Sequence, residues 1–222
     1  MSRRMAEGAR AQSQRWLDLA DQQRAAVAKA AVDLVAEGSI PIKVGDLADR
    51  AGITRPTFYK YFPTLGAAVL YTARTLIAQL EEYLEPRLPK GANAREQLLA
   101  RFDLSFEYAR SHPEITRFFS YYDFSFREQG LSGDEDAERA SISHVAGDPF
   151  FELFKAGQQE GSIDPALPPD ITYLALVTSM TGTGQRLLIE DTWTTGSDRR
   201  AKGVHKSLIT MWRQALSPKE TE

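Results

Sequence analysis

The chain has 222 residues, a hydrophobic content of 42%, a net charge of −3 and no cysteine. This composition is ordinary for a globular chain of one large or two small domains, and it excludes disulfides, thiolate metal sites and a cysteine nucleophile. No apolar run approaches the roughly 20 residues of a membrane span, and the N-terminus lacks the apolar segment of a secretory signal. We therefore expect a cytoplasmic protein.

The charge is unevenly distributed along the chain. Residues 1–62 carry ten basic and seven acidic side chains, a balance of +3, which leaves 17 basic and 23 acidic side chains, or −6, for residues 63–222. Binding to phosphates needs a local basic surface, whereas the charge of the whole chain mainly affects solubility. The overall acidity therefore does not exclude a nucleic-acid-binding protein.

The first segment divides into an arm and a helix. Residues 1–20 contain four arginines without apolar periodicity, which predicts a flexible basic arm that could touch a minor groove or phosphates. Residues 22–37 place apolar side chains on one face and end at Gly38, which predicts the first helix of a three-helix domain spanning 21–64. The apolar residues of that face are Val27, Ala30, Ala31, Leu34 and Val35.

Residues 42–62 read as two short helices joined at Gly52. The first is predicted from about Val44 to Ala51, and Gly52 supplies the left-handed turn that ends it. Thr54 is a good N-cap for the second helix. That helix has Pro56 in its first turn and carries two phenylalanines four residues apart, Phe58 and Phe62, which we expect to anchor it to the core.

The second helix carries its polar and basic side chains on the sides that the phenylalanines leave open. A helix that enters the major groove of DNA requires such donors. The Thr-Phe-Tyr-Lys-Tyr-Phe run at residues 57–62 resembles the end of the helix-turn-helix of the TetR family of transcriptional regulators. Recognisable motif residues cover about residues 22–75, and the remainder agrees in length, helical character and order of elements.

The resemblance implies a role for each residue of the second helix. It places Arg55 and Pro56 at base-facing positions, and Thr57, Tyr59 and Tyr61 at phosphate or groove positions. Chemistry agrees, because an arginine can bond a guanine edge bidentately and hydroxyl groups suit phosphate oxygens. The alternatives are a solvated charge at Arg55 and partial packing of Tyr59 on the next helix.

The chain departs from the family pattern at two places. Many members have a Lys-Glu pair after the aromatic run, where this chain has Leu65-Gly66, so a usual phosphate contact is missing. Either non-specific affinity is weaker, or Lys43, Lys60 and the N-terminal arginines compensate. Gly45 also removes a side chain where the leading helix often contributes a polar contact, so base reading would rest more on the second helix.

The remaining residues, 65–222, predict a helical effector-binding and dimerisation domain. A connector helix should begin after Pro63-Thr64 and continue to about Leu84, and no alternating strand pattern competes with the helical one. The fold class is therefore all-α. Further helices are predicted at about 93–111, 114–127, 133–146, 149–160, 170–190 and 198–216.

The last two helices occupy the place where the resemblance implies a homodimer interface, although their apolar residues could also form an intramolecular core. A dimer would present two small DNA-binding domains and so double the base contacts that one of them makes. The operator should therefore be a near-palindromic, inverted-repeat DNA duplex.

The residues between the connector and the last helices are rich in aromatic side chains, most of which should simply pack in a core. As a group they suggest an apolar or aromatic small-molecule effector, which the family usually holds between these helices. The resemblance implies that such a ligand shifts the connector helix and alters the separation of the reading heads. The predicted ligand-binding residues are Tyr71, Thr75, Phe106, Tyr122, Phe154 and Thr178.

Enzymatic activity is not expected. None of the common catalytic motifs is present, and the three histidines, His112, His144 and His205, fall near predicted helix ends or on polar faces where histidines are usually exposed. No cofactor and no metal are expected.

The favoured hypothesis is a ligand-responsive, dimeric transcriptional regulator, more a repressor than an activator because steric occlusion needs no recruiting surface. The alternative is an all-helical interaction or adaptor protein without specific DNA binding.

Overall fold

The computed structural model describes residues 2–128, 148–189 and 198–219, and the described segments contain helices and no strands. The predicted all-α class is confirmed. No described helix has the length and apolar character that crossing a membrane would require. The helices are α1 Ser2–Ala36, α2 Val44–Arg50, α3 Arg55–Tyr61, α4 Leu65–Leu84, α5 Ala94–Ser111, α6 Pro113–Glu128, α7 Pro149–Glu160, α8 Pro169–Ile189 and α9 Asp198–Ala215, with a 3-10 turn at Glu85–Arg87.

Most helices begin and end within a residue or two of the predicted positions, because the local capping signals operate. The Asn93 side chain accepts a hydrogen bond from the Glu96 N–H at the start of α5. Asp148 accepts one from the Phe150 N–H at the start of α7, which ends at a left-handed glycine, Gly161, with φ of 80°. The helix predicted at 133–146 lies outside the described residues.

The start of the first helix differs from the prediction. We expected it near residue 22, after a basic arm over residues 1–20, but α1 begins at Ser2 and runs without a break to Ala36. The first twenty residues contain four Ala, four Arg and two Gln, which favour helix even where no apolar stripe is present. The missing periodicity was therefore not evidence against a helix. Contact of this segment with DNA stays a prediction.

The chain divides into two compact units. The first comprises Met1–Thr75 and Tyr121–Glu138, and the second comprises Leu76–Ser120 and Arg139–Glu222. The division falls inside α4 rather than at its start, where we expected the domain boundary between residues 64 and 65. Ala68, Val69 and Leu70 in the first half of α4 are buried, so this half contributes side chains to a core.

The first unit contains the three helices predicted for the domain at residues 21–64. Helix α1 contacts α2, and α2 contacts α3. The expected apolar stripe of α1 is buried, and so are Phe58 within α3 and Phe62 at its C-terminal end. Burying these side chains fixes the orientation of α3 against the other two helices. The buried side chains include Val27, Ala31, Leu34, Leu47, Ala48, Phe58 and Phe62.

The second unit has its own core, formed by α5, α7, α8 and α9. Two buried or half-buried polar contacts link these helices. The Tyr173 hydroxyl of α8 donates to Asp148 Oδ2 at 2.5 Å, and Trp212 Nε1 of α9 donates to Ser179 Oγ of α8 at 2.8 Å. Burial, followed by the Asp148 hydrogen bond, raises the pKa of Tyr173, so its hydroxyl remains a donor. Core side chains include Leu98, Phe102, Phe151, Phe154, Ile163, Leu176 and Ile209.

Candidate nucleic-acid interface

The turn between α2 and α3 has the geometry that the sequence predicts. Gly52 has φ of 68°, in the left-handed region that favours glycine, and its N–H donates to Asp49 O. Thr54 is extended, and its hydroxyl accepts a 3.3 Å hydrogen bond from the Thr57 N–H. The glycine turn and the Thr54 cap therefore set the start of α3. The buried Phe58 side chain then orients the inner face of α3 towards the core.

The outer face of α3 presents polar and basic side chains to solvent. Arg55, Pro56, Tyr59 and Lys60 are exposed, as is Lys43 immediately before α2. The Tyr59 ring is 54% exposed and meets Phe58 edge-on, with 5.5 Å between ring centroids. Six of the residues predicted to contact DNA thus lie on this short helix, and four of them are exposed. Because these side chains are exposed, they are accessible to a nucleic acid.

Thr57 is more constrained than its neighbours on α3. Its side chain is half-buried, and its hydroxyl oxygen lies 2.9 Å from that of Thr54. The two hydroxyls share a hydrogen bond and flank the first turn of the helix. Because a hydroxyl has one donor and two acceptor sites, this arrangement leaves hydrogen-bonding capacity for a phosphate oxygen.

Tyr61 is placed differently from the expectation that its hydroxyl faces a phosphate. The hydroxyl donates a 2.6 Å hydrogen bond to Gln23 Oε1 of α1. Arg24 and Lys60 lie over the Tyr61 ring, with cation-to-centroid distances of 5.3 and 5.4 Å. We interpret Tyr61 as a residue that ties α3 to α1 and gathers two cations at the end of α3.

The sequence did not predict the contacts of Gln23 and Arg24 with Tyr61. Gln23 is 38 positions from its partner in the chain, and no motif predicts such a contact. Arg24 also pairs with Asp21 at 2.8 Å, in the manner of an ordinary exposed helix pair. Only the folded chain brings these side chains to the end of α3.

A bidentate ion pair joins α2 to the end of α1. Arg50 Nη1 and Nη2 donate to the two carboxylate oxygens of Glu37 at 2.8 and 2.6 Å. The hydrogen bond from Arg50 holds the pKa of Glu37 below its usual value, and the same bond raises the pKa of Arg50. Both side chains are exposed to water, so the pair orients α2 more than it stabilises the fold.

Three predicted ligand-binding residues lie in the first unit. The Tyr71 ring lies 5.4 Å from the Phe62 ring, and the Thr75 hydroxyl donates to the Tyr71 carbonyl at 2.9 Å. Tyr122 is buried. Tyr71 and Thr75 thus have packing and hydrogen-bond partners on their own helix or immediately before it, as ordinary structural residues do.

The other three predicted ligand-binding residues lie in the second unit and have different surroundings. Phe154 is fully buried and stacks in the core with Phe151, whereas Thr178 is exposed on α8. Phe106 lines a cavity. These placements do not bring the three side chains into one described cavity, and their role in effector binding stays a prediction.

The cavity that Phe106 lines is a partly open groove of about 550 Å³ between α5 and α9. Its walls are rich in ionisable side chains, with carboxylates on α5 and cations on α9. One pair, Glu96 with Arg213, closes across the groove at 2.9 Å. The ionisable residues of the walls are Glu96, Asp103, Glu107, Lys202, His205, Lys206 and Arg213.

His205 forms the floor of this groove, contrary to our expectation of an exposed histidine. The residue is 5% exposed, its ring stacks on Phe106 with 3.9 Å between centroids, and Nε2 lies 3.0 Å from Asp103 Oδ1. The expectation failed because His205 falls on the inner face of α9, in line with Ala201 and Ile209, which are also buried. His112 is half-buried at the end of α5, and His144 lies outside the described residues.

We expect stability to fall in acid because of His205. Burial lowers its pKa below the usual 6.5, while the carboxylates of Asp103 and Glu107 oppose the shift. Below pH 6.5 the unfolded chain therefore binds a proton that the folded chain resists, so the free energy of unfolding decreases as the pH falls towards the folded pKa. Urea unfolding of the native chain and of His205→Gln between pH 8 and pH 5 measures this contribution.

The neighbouring carboxylate supplies a control for the His205 measurement. Asp103→Asn removes a charge that raises the pKa of His205, so the loss of stability should extend to lower pH. His205→Gln should lose part of the pH dependence. Identical pH profiles for the native chain and His205→Gln would show that the histidine is not its source.

Comparison with known proteins places these features in a wider context. No family model matches the chain. The chain is 36% identical over 78 residues to the HTH-type transcriptional regulator EthR of Mycobacterium tuberculosis and of Mycobacterium bovis. The match covers 34% of this chain, and it spans only about a third, 36%, of the length of EthR.

Solved structures agree with the fold over most of the chain. A TetR family regulator from Marinobacter aquaeolei VT8 is 21% identical, has a TM-score of 0.65, and covers 92% of this chain and 100% of its own. A TetR-family regulator from a Rhodococcus species is 17% identical, with a TM-score of 0.69 and coverages of 89% and 100%.

A third structure was solved with a ligand. The transcriptional regulator FadR from Bacillus subtilis, in complex with stearoyl-CoA, is 17% identical, with a TM-score of 0.68 and coverages of 86% and 97%. The relatives in sequence and in structure are transcription regulators rather than enzymes. The chain thus has the all-helical fold that these solved TetR-family transcription regulators share.

Proposed function

We propose that the protein is a ligand-responsive transcriptional repressor that binds a near-palindromic operator as a homodimer. The outer face of α3 is the observation that carries the proposal. Arg55, Tyr59 and Lys60 are exposed on a helix whose inner face is anchored by Phe58. A short, rigid helix with an exposed guanidinium is the element that reads base edges in the major groove.

The first unit supplies the phosphate contacts that such a helix needs. Lys43 is exposed beside α2, and Arg24 and Lys60 flank the Tyr61 ring next to α3. These cations support the idea that other residues replace the usual lysine missing at Leu65-Gly66. Neutralising phosphates at several points would make binding strongly dependent on salt.

An exposed apolar face on α8 and α9 supports the homodimer. Ile171 and Leu174 of α8 are 71% and 59% exposed, and Met211 of α9 is 63% exposed. A shallow depression of about 510 Å³ between the helices borders this face. The Cβ of an added side chain at Gly182 or Gly203 would meet open space, so another helix could approach closely. A second copy would remove these apolar side chains from water.

We expect Met211→Lys to weaken the dimer, because it places a charge on the exposed apolar face. Sedimentation velocity at micromolar concentrations should show the native chain at the mass of a dimer and the variant shifted towards the monomer. Thr210→Lys is the matched control, since it adds the same side chain at the adjacent exposed position of α9. Equal dimer fractions in all three proteins would argue against this interface.

The second unit is the proposed binding site for an apolar or aromatic effector. Two observations support it: the unit has an aromatic-rich interior, and the FadR of Bacillus subtilis, with the same fold, was solved with stearoyl-CoA. A ligand that binds one conformation of this unit better than the other would shift the spacing of the reading heads through α4, which continues from the first unit into the second.

The decisive experiment is selection of bound duplexes from a randomised DNA pool at about physiological salt, followed by sequencing. The native chain should enrich an inverted repeat, and Arg55→Ala should lose or relax the preference at one base pair in each half-site. The enriched duplex then serves to screen apolar and aromatic compounds for release. If no sequence is enriched, either by the free chain or in the presence of these compounds, the proposal is wrong. The protein is then an interaction or adaptor protein without specific DNA binding.

A further inference from the structure

Gly45, the second residue of α2, lies beneath the Arg55 side chain of α3. Gly45 is buried. A Cβ built on Gly45 would lie 2.4 Å from Arg55 Nη2, 3.2 Å from Cζ and 3.3 Å from Nε. The first of these distances is far shorter than any van der Waals contact. The guanidinium therefore occupies the space that a side chain at position 45 would fill.

The need for glycine at this position is spatial and not conformational. Gly45 lies inside a helix, where alanine is the more favourable residue. Turns such as the one at Gly52 need a left-handed residue, but a helical position does not. What distinguishes position 45 is that the guanidinium of another helix occupies the place of its Cβ.

The backbone of Arg55 is fixed while its side chain is adjustable. The Thr54 cap and the buried Phe58 hold the first turn of α3 in place. The position of the guanidinium therefore depends on the surface beneath it, which is the Cα of Gly45. A bidentate bond to a guanine edge requires both donors to be correctly placed, so a shift of about one ångström disturbs it.

We propose that Gly45 is a specificity-determining residue that acts by seating the Arg55 guanidinium across α2. The Arg55 guanidinium of α3 then reads the base pair that faces the junction of α2 and α3. A longer side chain at position 45 would compete with the guanidinium for this space. This inference rests on the proposed function, since it assigns the origin of base preference within the same reading surface.

The test is a double-mutant cycle on the duplex selected by the native chain. We compare the native chain, Gly45→Ala, Arg55→Ala and the double variant by titration of labelled duplex, and we repeat the selection with each protein. Gly45→Ala should weaken binding about tenfold and relax the preference at the base pair that Arg55→Ala also relaxes. In the Arg55→Ala background, Gly45→Ala should cause no further loss.

Two controls separate seating from folding. Gly184→Ala makes the same substitution inside α8, where the added Cβ meets open space, and should leave base preference unchanged. The thermal midpoint of Gly45→Ala should equal or exceed that of the native chain, because alanine favours helix. A loss of binding with an intact midpoint therefore reports on the guanidinium.

The possible failures are distinguishable. If the native chain selects an operator and Gly45→Ala retains its affinity and base preference, the seating role is wrong while the proposed function stands. An equal loss from Gly45→Ala with and without Arg55 would also overturn the inference, because the effect would not pass through the guanidinium. If the native chain selects no sequence, both the proposed function and the inference fail.

Discussion

Phe58→Ala is expected to destabilise the first unit by about 3–5 kcal/mol and to abolish DNA binding. The ring is fully buried, and its centroid lies 5.5 Å from those of both Tyr59 and Phe62. Truncation removes the contacts that hold α3 against α2 and leaves a cavity that short helices cannot easily close. The free energy of unfolding from urea titration and the affinity for the selected duplex measure the two effects.

A conservative variant and the oligomeric state complete the Phe58 experiment. Phe58→Leu keeps most of the apolar volume and should cost much less than the truncation. The dimer mass should persist in Phe58→Ala, because the proposed interface lies on α8 and α9 of the second unit, which has its own core. A loss below about 1 kcal/mol would mean that Phe58 does not anchor the reading helix.

Arg101→Ala is expected to cost about 3 kcal/mol in the stability of the second unit. The Arg101 side chain of α5 is almost fully buried. Its Nη1 donates to Glu81 Oε2 at 2.6 Å, its Nη2 donates to Glu85, and its Cζ lies 5.4 Å from the Phe150 ring centroid. Alanine would leave Glu81, which is half-buried, without its cation and would remove the packing against Phe150. Thermal and urea unfolding measure the loss.

The same substitution examines how the end of the connector helix is held. Glu81 lies in the last turns of α4, and Arg101 ties that end to α5 within the second unit. Arg101→Met keeps an unbranched apolar stem, so it should recover much of the lost packing and cost less than alanine. Equal losses for the two variants would show that the charge, and not the packing, dominates. No loss in either would contradict the structural role of this ion pair.

Local signals in the sequence were sufficient for most of the helices. The turn at Gly52, the caps at Thr54, Asn93 and Asp148, and the prolines near helix starts act over a few residues, so their meaning does not depend on the rest of the chain. The inward orientation of Phe58 and Phe62 followed from spacing alone. The predicted start of α1 was wrong because a helical segment without an apolar stripe shows no periodic pattern of apolar residues.

What the sequence by itself determined is the all-α class, the order of the helices and the exposed polar face of α3, because periodicity and capping are local properties of the chain. Only the tertiary structure decided which distant side chains meet. It bonded Tyr61 to Gln23, buried His205 against Phe106 and laid the Arg55 guanidinium over Gly45. Such contacts depend on how helices pack, and packing depends on the shapes of many side chains at once.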